Sequence, residues 1–566
     1  MISKIFPFNQ SRITVVGLCI GGMLALALFF RFWHLGNIPG TNGDEAFLGC
    51  KAFDVAHGGR LDWMTYSQNF TNPFYILPLV ALHKIFPPSV ILLRIVAVIS
   101  GILLLPVNYF LCRWVFDARS AWASTLLLAV LPVNIVYSRF GWEPSQTVLF
   151  AIPVLYLALG YGGGYLKEIS GLSLVVLALA AAFLVHPANF FLAGFVIVAI
   201  AARWSHPESS RRSFGVYGGL SLLGFLVLGI FAYLKAPAAV HHEIMVRMIS
   251  MAWLHDGDRF LVTWIRIFNG LNALAYVTGS WKQAVTILES GKSYWIGWPD
   301  WVGLGIFLTA LGAISVGGIY SRSSEAVGRR LDLILLGGVL GSSLLFDILN
   351  GPEKVAVWFE RYALWVIPAG ILILVRGGVR LQEFFPQLAP TIRVLGLVLC
   401  ALLLFEFWNG YIQFAQITGG NSELASRVGG EDLKYSAAKL LASEVRKNGI
   451  DEPMFVSSDW FVYWATLYSL RGEAGGRTWI PVREDLFHRS FPITSKGWDL
   501  GRKVQTGKVM FAEFYGSQAW NVWNRLIKDS GVKYSSVEFN DIAGRPTLIV
   551  KFPEFIAVNA ENQRRK

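Results

Sequence analysis

Apolar runs recur along residues 13–413 of this chain in a number that no soluble core can absorb. They occupy 13–33, 89–111, 119–137, 146–160, 171–185, 188–203, 214–234, 299–319, 332–349, 362–376 and 394–413. A helix needs about 20 apolar residues to cross the hydrocarbon layer, where every backbone amide must bond within its own helix. Four of the runs (146–160, 171–185, 188–203 and 362–376) fall short of that length, so their boundaries are soft. Composition agrees: 15% of residues are charged, against about 25% in a soluble globular chain. The expected fold is a polytopic α-helical membrane protein with about eleven transmembrane helices.

The net charge of +12 does not point to nucleic acid, because the basic residues are scattered among short loops. With the N-terminus inside, the inner loops hold Lys4, Arg12, Arg113, Arg119, Lys167, Arg203, Arg211, Arg212, Arg322, Arg329, Arg330, Arg376, Arg380 and Arg393. The short outer loops hold only Arg139, Lys354 and Arg361. That asymmetry follows the positive-inside bias. The first run is too long for a signal-peptide core and lacks a small-residue cleavage site, so it reads as a retained span. The four cysteines show neither CxxC nor metal-type spacing.

Two outer loops are long, 34–88 and 235–298. After Phe414 the composition turns soluble. "EDLKYSAAKLLASEVRKNG" predicts an amphipathic helix ending at Gly449, and "AWNVWNRLIKDSG" predicts another. "PMFVSSD", "KVMFAEF" and "PTLIVKF" predict strands. The expected division is a membrane domain over 1–413 and a C-terminal soluble α/β domain over 414–566, on the outer side after eleven spans.

The stretch "HLGNIPGTNGDEAFLG" at 34–49 sets two adjacent acids, Asp44 and Glu45, just beyond the first span. They either lie solvated or cap a following helix. The functional alternative is a partly desolvated carboxylate whose pKa rises toward that of a useful base. Other outer turns supply companions. Arg139 and Glu143 in "YSRFGWEPS" are spaced for an i,i+4 ion pair. His186 in "LVHPAN" lies at the next outer turn. "NGPEKVAVWFERYALW" brings Glu353, Lys354, Glu360, Arg361 and Tyr362, of which Arg361 could simply snorkel to headgroups. Jointly, acids, arginines and a histidine gather on one side of the membrane at similar depth, which is costly unless used.

A first span followed by "GDEAFLG" resembles the Asp-Glu opening of the outer loop in GT-C fold glycosyltransferases of the family-39 type. That family includes protein O-mannosyltransferases and lipid A aminoarabinose transferases. The segment from "TNPFYILP" to "CRWVF", the loop "SRFGWEPSQTVLF" and the Arg-Tyr motif in "FERYALWVIP" resemble further parts of it, in the same order and on the same side. The likeness is good over 13–200, thinner to 413 and generic beyond.

The resemblance implies inverting transfer of a sugar from a polyprenyl-phosphate donor to a lipid, glycan or protein hydroxyl at the extracytoplasmic face of a membrane. A bacterial inner membrane, with the C-terminal domain periplasmic, is the expected location. Asp44 matches the family's catalytic aspartate, with Glu45 beside it, and Glu143 stands where the family has a second acid. Arg94 matches the arginine that opens the second span, and Arg361, followed by Tyr362, the arginine near the donor phosphate. Lys354, Arg139 and His186 complete the expected phosphate-holding set. Asn72 departs from the family's basic residue before proline, and Lys84 with His83 offers a replacement. No cofactor is required; a divalent metal between Asp44 and Glu143 stays open. The alternative from another class is a flippase or transporter of lipid-linked glycans, which should place charges near the bilayer midplane.

Overall fold

The computed structural model describes residues 10–64, 70–205, 300–320, 326–349, 361–420, 426–473, 479–483 and 500–554. The run 214–234, the loop 235–298, and the residues Glu353, Lys354 and Glu360 lie outside the described residues. The membrane part begins with α1 (Gln10–Phe32), α2 (Gly43–Ala56), α3 (Pro73–His83) and α4 (Val90–Val115). It continues with α5 (Ala118–Val130), α6 (Pro132–Tyr137), α7 (Thr147–Gly163), α8 (Glu168–Val185) and α9 (Ala193–Trp204). Then come α10 (Asp300–Tyr320), α11 (Ala326–Leu349), α12 (Val366–Phe384), α13 (Ala389–Phe407) and α14 (Phe414–Thr418).

Among the described residues five helices are long and apolar enough to cross a membrane: Val90–Val115, Glu143–Gly163, Pro187–Trp204, Val327–Leu349 and Pro386–Thr418. Shorter apolar helices occupy Gly21–Phe32, Pro73–His83, Ile169–Val185 and Gly305–Gly317. The chain is a helical membrane protein.

Two expected spans differ in detail. The run 119–137 is broken at Leu131, because Pro132 takes the first position of a new helix where its missing N–H costs nothing. The run 362–376 starts later and runs on to Phe384, so Arg376 and Arg380 lie in a helix and not in a loop. Both arginines are buried on Asp332 of α11, with Arg376 Nε at 2.9 Å from Oδ1 and Arg380 Nε at 2.8 Å from Oδ2.

Within the bundle, large apolar side chains form one continuous buried cluster, while small residues set the closest helix approaches and a few polar links tie helices together. A Cβ on Gly194 would stand 2.2 Å from Ser342 N, so only glycine lets α9 and α11 approach this closely. Asn108 donates to Ser124 and Thr125, each at 2.9 Å, and accepts from the Tyr156 hydroxyl at 3.0 Å, tying α4, α5 and α7 together.

The C-terminal part holds α15 (Leu433–Lys447), β1 (Met454–Ser457), α16 (Trp460–Glu473), β2 (Ile480–Arg483), α17 (Leu500–Gln505), β3 (Val509–Phe514), α18 (Ala519–Ser530), β4 (Tyr534–Asn540) and β5 (Pro546–Pro553). The strands form one sheet in the order β2-β1-β3-β5-β4. β1 is parallel to β2 and β3, while β5 is antiparallel to β3 and β4. Helix α16 is sandwiched: one side meets the sheet through residues such as Phe455 and Met510, and the other meets Ala46, Cys50 and Leu93 of the membrane part in one buried cluster. That sandwich fixes the α/β unit against α2 and the start of α4.

Candidate functional site

Helix α2 starts where it does because of a capping box. Asn42 Oδ1 accepts from Asp44 N–H at 2.8 Å, and Glu45 reaches back to Asn42 N–H at 2.8 Å. The two adjacent acids consequently part company. Glu45, fully buried, turns inward and Asp44 turns outward.

Glu45 is saturated. Its Oε1 accepts from Arg94 Nη2 at 2.7 Å, and its Oε2 from Arg94 Nε at 3.1 Å and from Gly141 N–H at 2.8 Å. Arg94, also fully buried, spends its remaining hydrogens on the carbonyls of Leu35 (2.8 Å), Pro39 (3.0 Å) and Gly40 (3.4 Å). Gly141 is needed here, since a Cβ would stand 2.6 Å from Leu93 O and 3.0 Å from Glu45 Oε2.

Arg139 does similar work. Buried, it donates to the carbonyls of Phe30 (2.8 Å), Arg31 (3.2 Å), Trp33 (2.7 Å) and Ile38 (2.8 Å). The i,i+4 pairing expected between Arg139 and Glu143 does not form. Helix α6 stops at Tyr137, and the turn through Gly141 sends the two side chains apart. Arg94 and Arg139 thus clamp residues 30–40 and are not presented to a phosphate.

Asp44, on the other side of α2, is the focus of what remains. Its Oδ2 lies 3.8 Å from Arg361 Nη1, with side-chain exposures of 42% for Asp44 and 28% for Arg361. Its Oδ1 accepts the indole N–H of Trp460 at 3.0 Å. Burial is the strongest influence on the Asp44 carboxyl and pushes it above the ordinary aspartate range. Arg361 and the Trp460 hydrogen bond oppose that rise, and Glu45 reinforces it.

Arg361 is itself caged, lying 5.4 Å from the Trp142 ring centre and 5.2 Å from that of Tyr362. Tyr362 in turn packs against His186, ring centres 5.8 Å apart. The buried His186 is pushed down to about 3, first by burial and then by the Arg361 charge, so it is neutral at physiological pH. Its Nδ1 accepts Ala188 N–H at 3.2 Å, which leaves the proton on Nε2. It offers a hydrogen bond to an anion, not a charge.

Glu143 joins from the turn before α7. Its Oε1 accepts Asn72 N–H at 3.3 Å, and it interacts electrostatically with Asp44 and Lys51. Asn72, the departure from the family pattern, is buried and caps α3 through Phe74 N–H at 2.9 Å, while its amide donates to Gln146 at 2.8 Å. Lys84 is not brought here. It is exposed at the far end of α3, about 18 Å along the helix from Asn72 at 1.5 Å per residue. His83 is buried beside Tyr468 at 3.4 Å.

Two contributors escaped the sequence reading. Lys51, seven residues after Asp44 and hence on a similar face of α2, donates to Met64 O at 2.9 Å and Thr71 Oγ1 at 3.0 Å. That spacing was legible. Trp460 sits 416 positions from its partner, and nothing local announces the contact. For a metal, the charged ligands on hand would be Asp44 and Glu143. Among the described residues no group of three or more His, Cys, Asp or Glu side chains is arranged to hold an ion.

Fold and site define a helical membrane protein with an acid–arginine centre, where Asp44 at the start of α2 meets Arg361 ahead of α12. No family model and no curated protein matches the chain. Among solved structures, it is similar to ArnT from Cupriavidus metallidurans bound to undecaprenyl phosphate. The two are 14% identical, with 95% of this chain and 98% of that one covered at a TM-score of 0.49. It is also similar to the Archaeoglobus fulgidus oligosaccharyltransferase in complex with Zn and sulfate (12% identity, 82% of this chain, TM-score 0.44). The match covers 62% of that longer enzyme.

Proposed function

We propose that this chain is a glycosyltransferase of the GT-C type. It would move a sugar from a polyprenyl-phosphate carrier to a hydroxyl of a lipid, glycan or protein at the extracytoplasmic face of a bacterial inner membrane. The observation that carries the reading is the meeting of Asp44 and Arg361, 3.8 Å apart, from segments that the sequence separates by more than half the chain.

An alcohol is a poor nucleophile until a base takes its proton in the transition state. In the proposed step Asp44 accepts the hydroxyl proton while the acceptor oxygen bonds to the anomeric carbon, opposite the phosphate. The bond from that carbon to the phosphate oxygen breaks, and polyprenyl phosphate leaves with one further negative charge. Arg361 exchanges its loose contact with the half-exposed Asp44 for the phosphate and stabilises that charge. Tyr362 and Trp142 hold the guanidinium in place, and neutral His186 adds a hydrogen-bond donor. Glu143 is proposed to orient the acceptor. Glu45, Arg94 and Arg139 keep the scaffold of residues 30–45 rigid and take no part in bond making. Lys354 stays an expected phosphate partner.

A prenyl tail is insoluble in water, so a donor that carries one must be met at the membrane, which is why a transferase would be built from spans. The test is reconstitution in vesicles with a labelled polyprenyl-phosphate sugar and a panel of lipid, glycan and peptide acceptors. Transfer by the natural protein and none by Asp44→Asn is expected. Translocation of the label without transfer, or activity retained by Asp44→Asn, would contradict the reading.

A further inference from the structure

Asp44 belongs to the membrane part, yet one of its two oxygens is held by the α/β unit. Trp460 opens α16, and its indole N–H reaches Asp44 Oδ1 at 3.0 Å. The contact is built in. A Cβ on Gly43 would stand 2.6 Å from Trp460 Cδ1 and 2.9 Å from Nε1, so only glycine lets the indole approach α2 here. Phe47, one turn further along α2, packs on Trp460 and Trp464 with ring centres 5.6 and 4.9 Å away.

The two helices then stay side by side. A Cβ on Gly49 would stand 2.7 Å from Tyr468 Cε2, and Arg471 donates to Cys50 O at 2.8 Å and pairs with Asp54 at 2.9 Å. Contacts thus advance along α2 from 43 to 54 as they advance along α16 from 460 to 471. The start of α16 is fixed from behind. Asp459 caps it through Phe461 N–H at 2.8 Å, and Glu513 of β3 accepts the N–H of the preceding Ser458 and the Trp523 indole at 3.2 Å.

We propose that Trp460 is a positioning residue for the transfer reaction: its indole N–H, presented by the α/β unit, fixes Oδ1 of Asp44 and leaves Oδ2 to take the acceptor's proton. This rests on the reaction assigned above and deepens it, because the soluble unit becomes part of the active site. A hydrogen bond to a carboxylate favours its ionised form. Losing the indole N–H therefore removes a support of the ionised carboxylate and lets it turn. The charged groups that bear on Asp44 are Arg361 ahead of α12, Glu45 on its own helix and Glu143 ahead of α7. None of them is altered by a change at 460.

Two replacements keep the ring packing and remove the donor: Trp460→Phe, and 3-benzothienylalanine at 460, in which sulfur replaces N–H. Kinetics with a polyprenyl-phosphate sugar are run on both variants, beside calorimetry with polyprenyl phosphate, which needs no turnover. kcat should fall in both while the Kd for polyprenyl phosphate stays within twofold. Unchanged kcat in both variants overturns the proposal, as does a kcat that falls only in step with a weakened Kd. Absence of transfer by the natural protein strikes the reaction itself and is thereby told apart from failure of the Trp460 assignment.

Discussion

Arg94→Met separates holding the site from acting in it. Arg94 has no exposed surface, and its guanidinium supplies two of the four hydrogen bonds that Glu45 accepts, along with donors for Leu35, Pro39 and Gly40 carbonyls. Removing it leaves a buried carboxylate with only two amide donors and orphans those carbonyls. Breaking one partner out of a buried ion pair costs about 3–5 kcal/mol, a roughly 10²- to 10⁴-fold change in the folded-to-unfolded ratio. Glu45→Gln should cost a similar amount by leaving Arg94 charged and unpaired. The double variant should recover at least about 1 kcal/mol of the summed loss, since the two changes share one contact. SDS-titrated unfolding in mixed micelles measures all three. Single losses under about 1 kcal/mol would refute the clamp. So would a stable Arg94→Met protein whose affinity for polyprenyl phosphate drops tenfold, which would return Arg94 to the donor site.

The other predictions concern the site directly. Arg361→Ala should leave unfolding almost unchanged, as its side chain is partly exposed, but weaken polyprenyl-phosphate binding by at least about tenfold in calorimetry. kcat/KM should follow the ionised form of Asp44, the proposed base, whose pKa burial raises. It should fall as pH drops through a midpoint above the ordinary aspartate value of about 4; a pH profile flat to 4 would disagree. Gly43→Ala should displace Trp460 and lower kcat, with Phe→Tyr changes at exposed Phe385 as a control expected to do nothing.

Much of the fold could be read because lipid imposes a blunt rule: long apolar runs must be helices, and the periodic soluble segments "EDLKYSAAKLLASEVRKNG" and "PTLIVKF" became α15 and β5. Helix α16 was not read, since "WFVYWATLYSLRGE" is packed on opposite sides by the sheet and by α2 and therefore carries no polar face to betray its period. The acids of the site were legible as a pair, but their division of labour was not. Asn42-Gly43-Asp44-Glu45 carries the N-x-x-E capping signature, which already hinted that Glu45 turns back to the backbone. Arg94 and Arg139 looked like phosphate ligands because a lone arginine at a membrane edge gives no sign of which carbonyls it will meet. Those partners, like Trp460, come from chain segments far away in sequence.

The most direct test of the central claim is Asp44→Asn, an isosteric change that keeps an acceptor for the Trp460 indole and removes the carboxylate proposed as the base. Turnover with a polyprenyl-phosphate sugar should fall by about 10²- to 10⁴-fold, while polyprenyl-phosphate affinity stays within a few-fold of the natural protein. Retained turnover, or affinity lost in step with turnover, would show that Asp44 is not the group that takes the acceptor's proton.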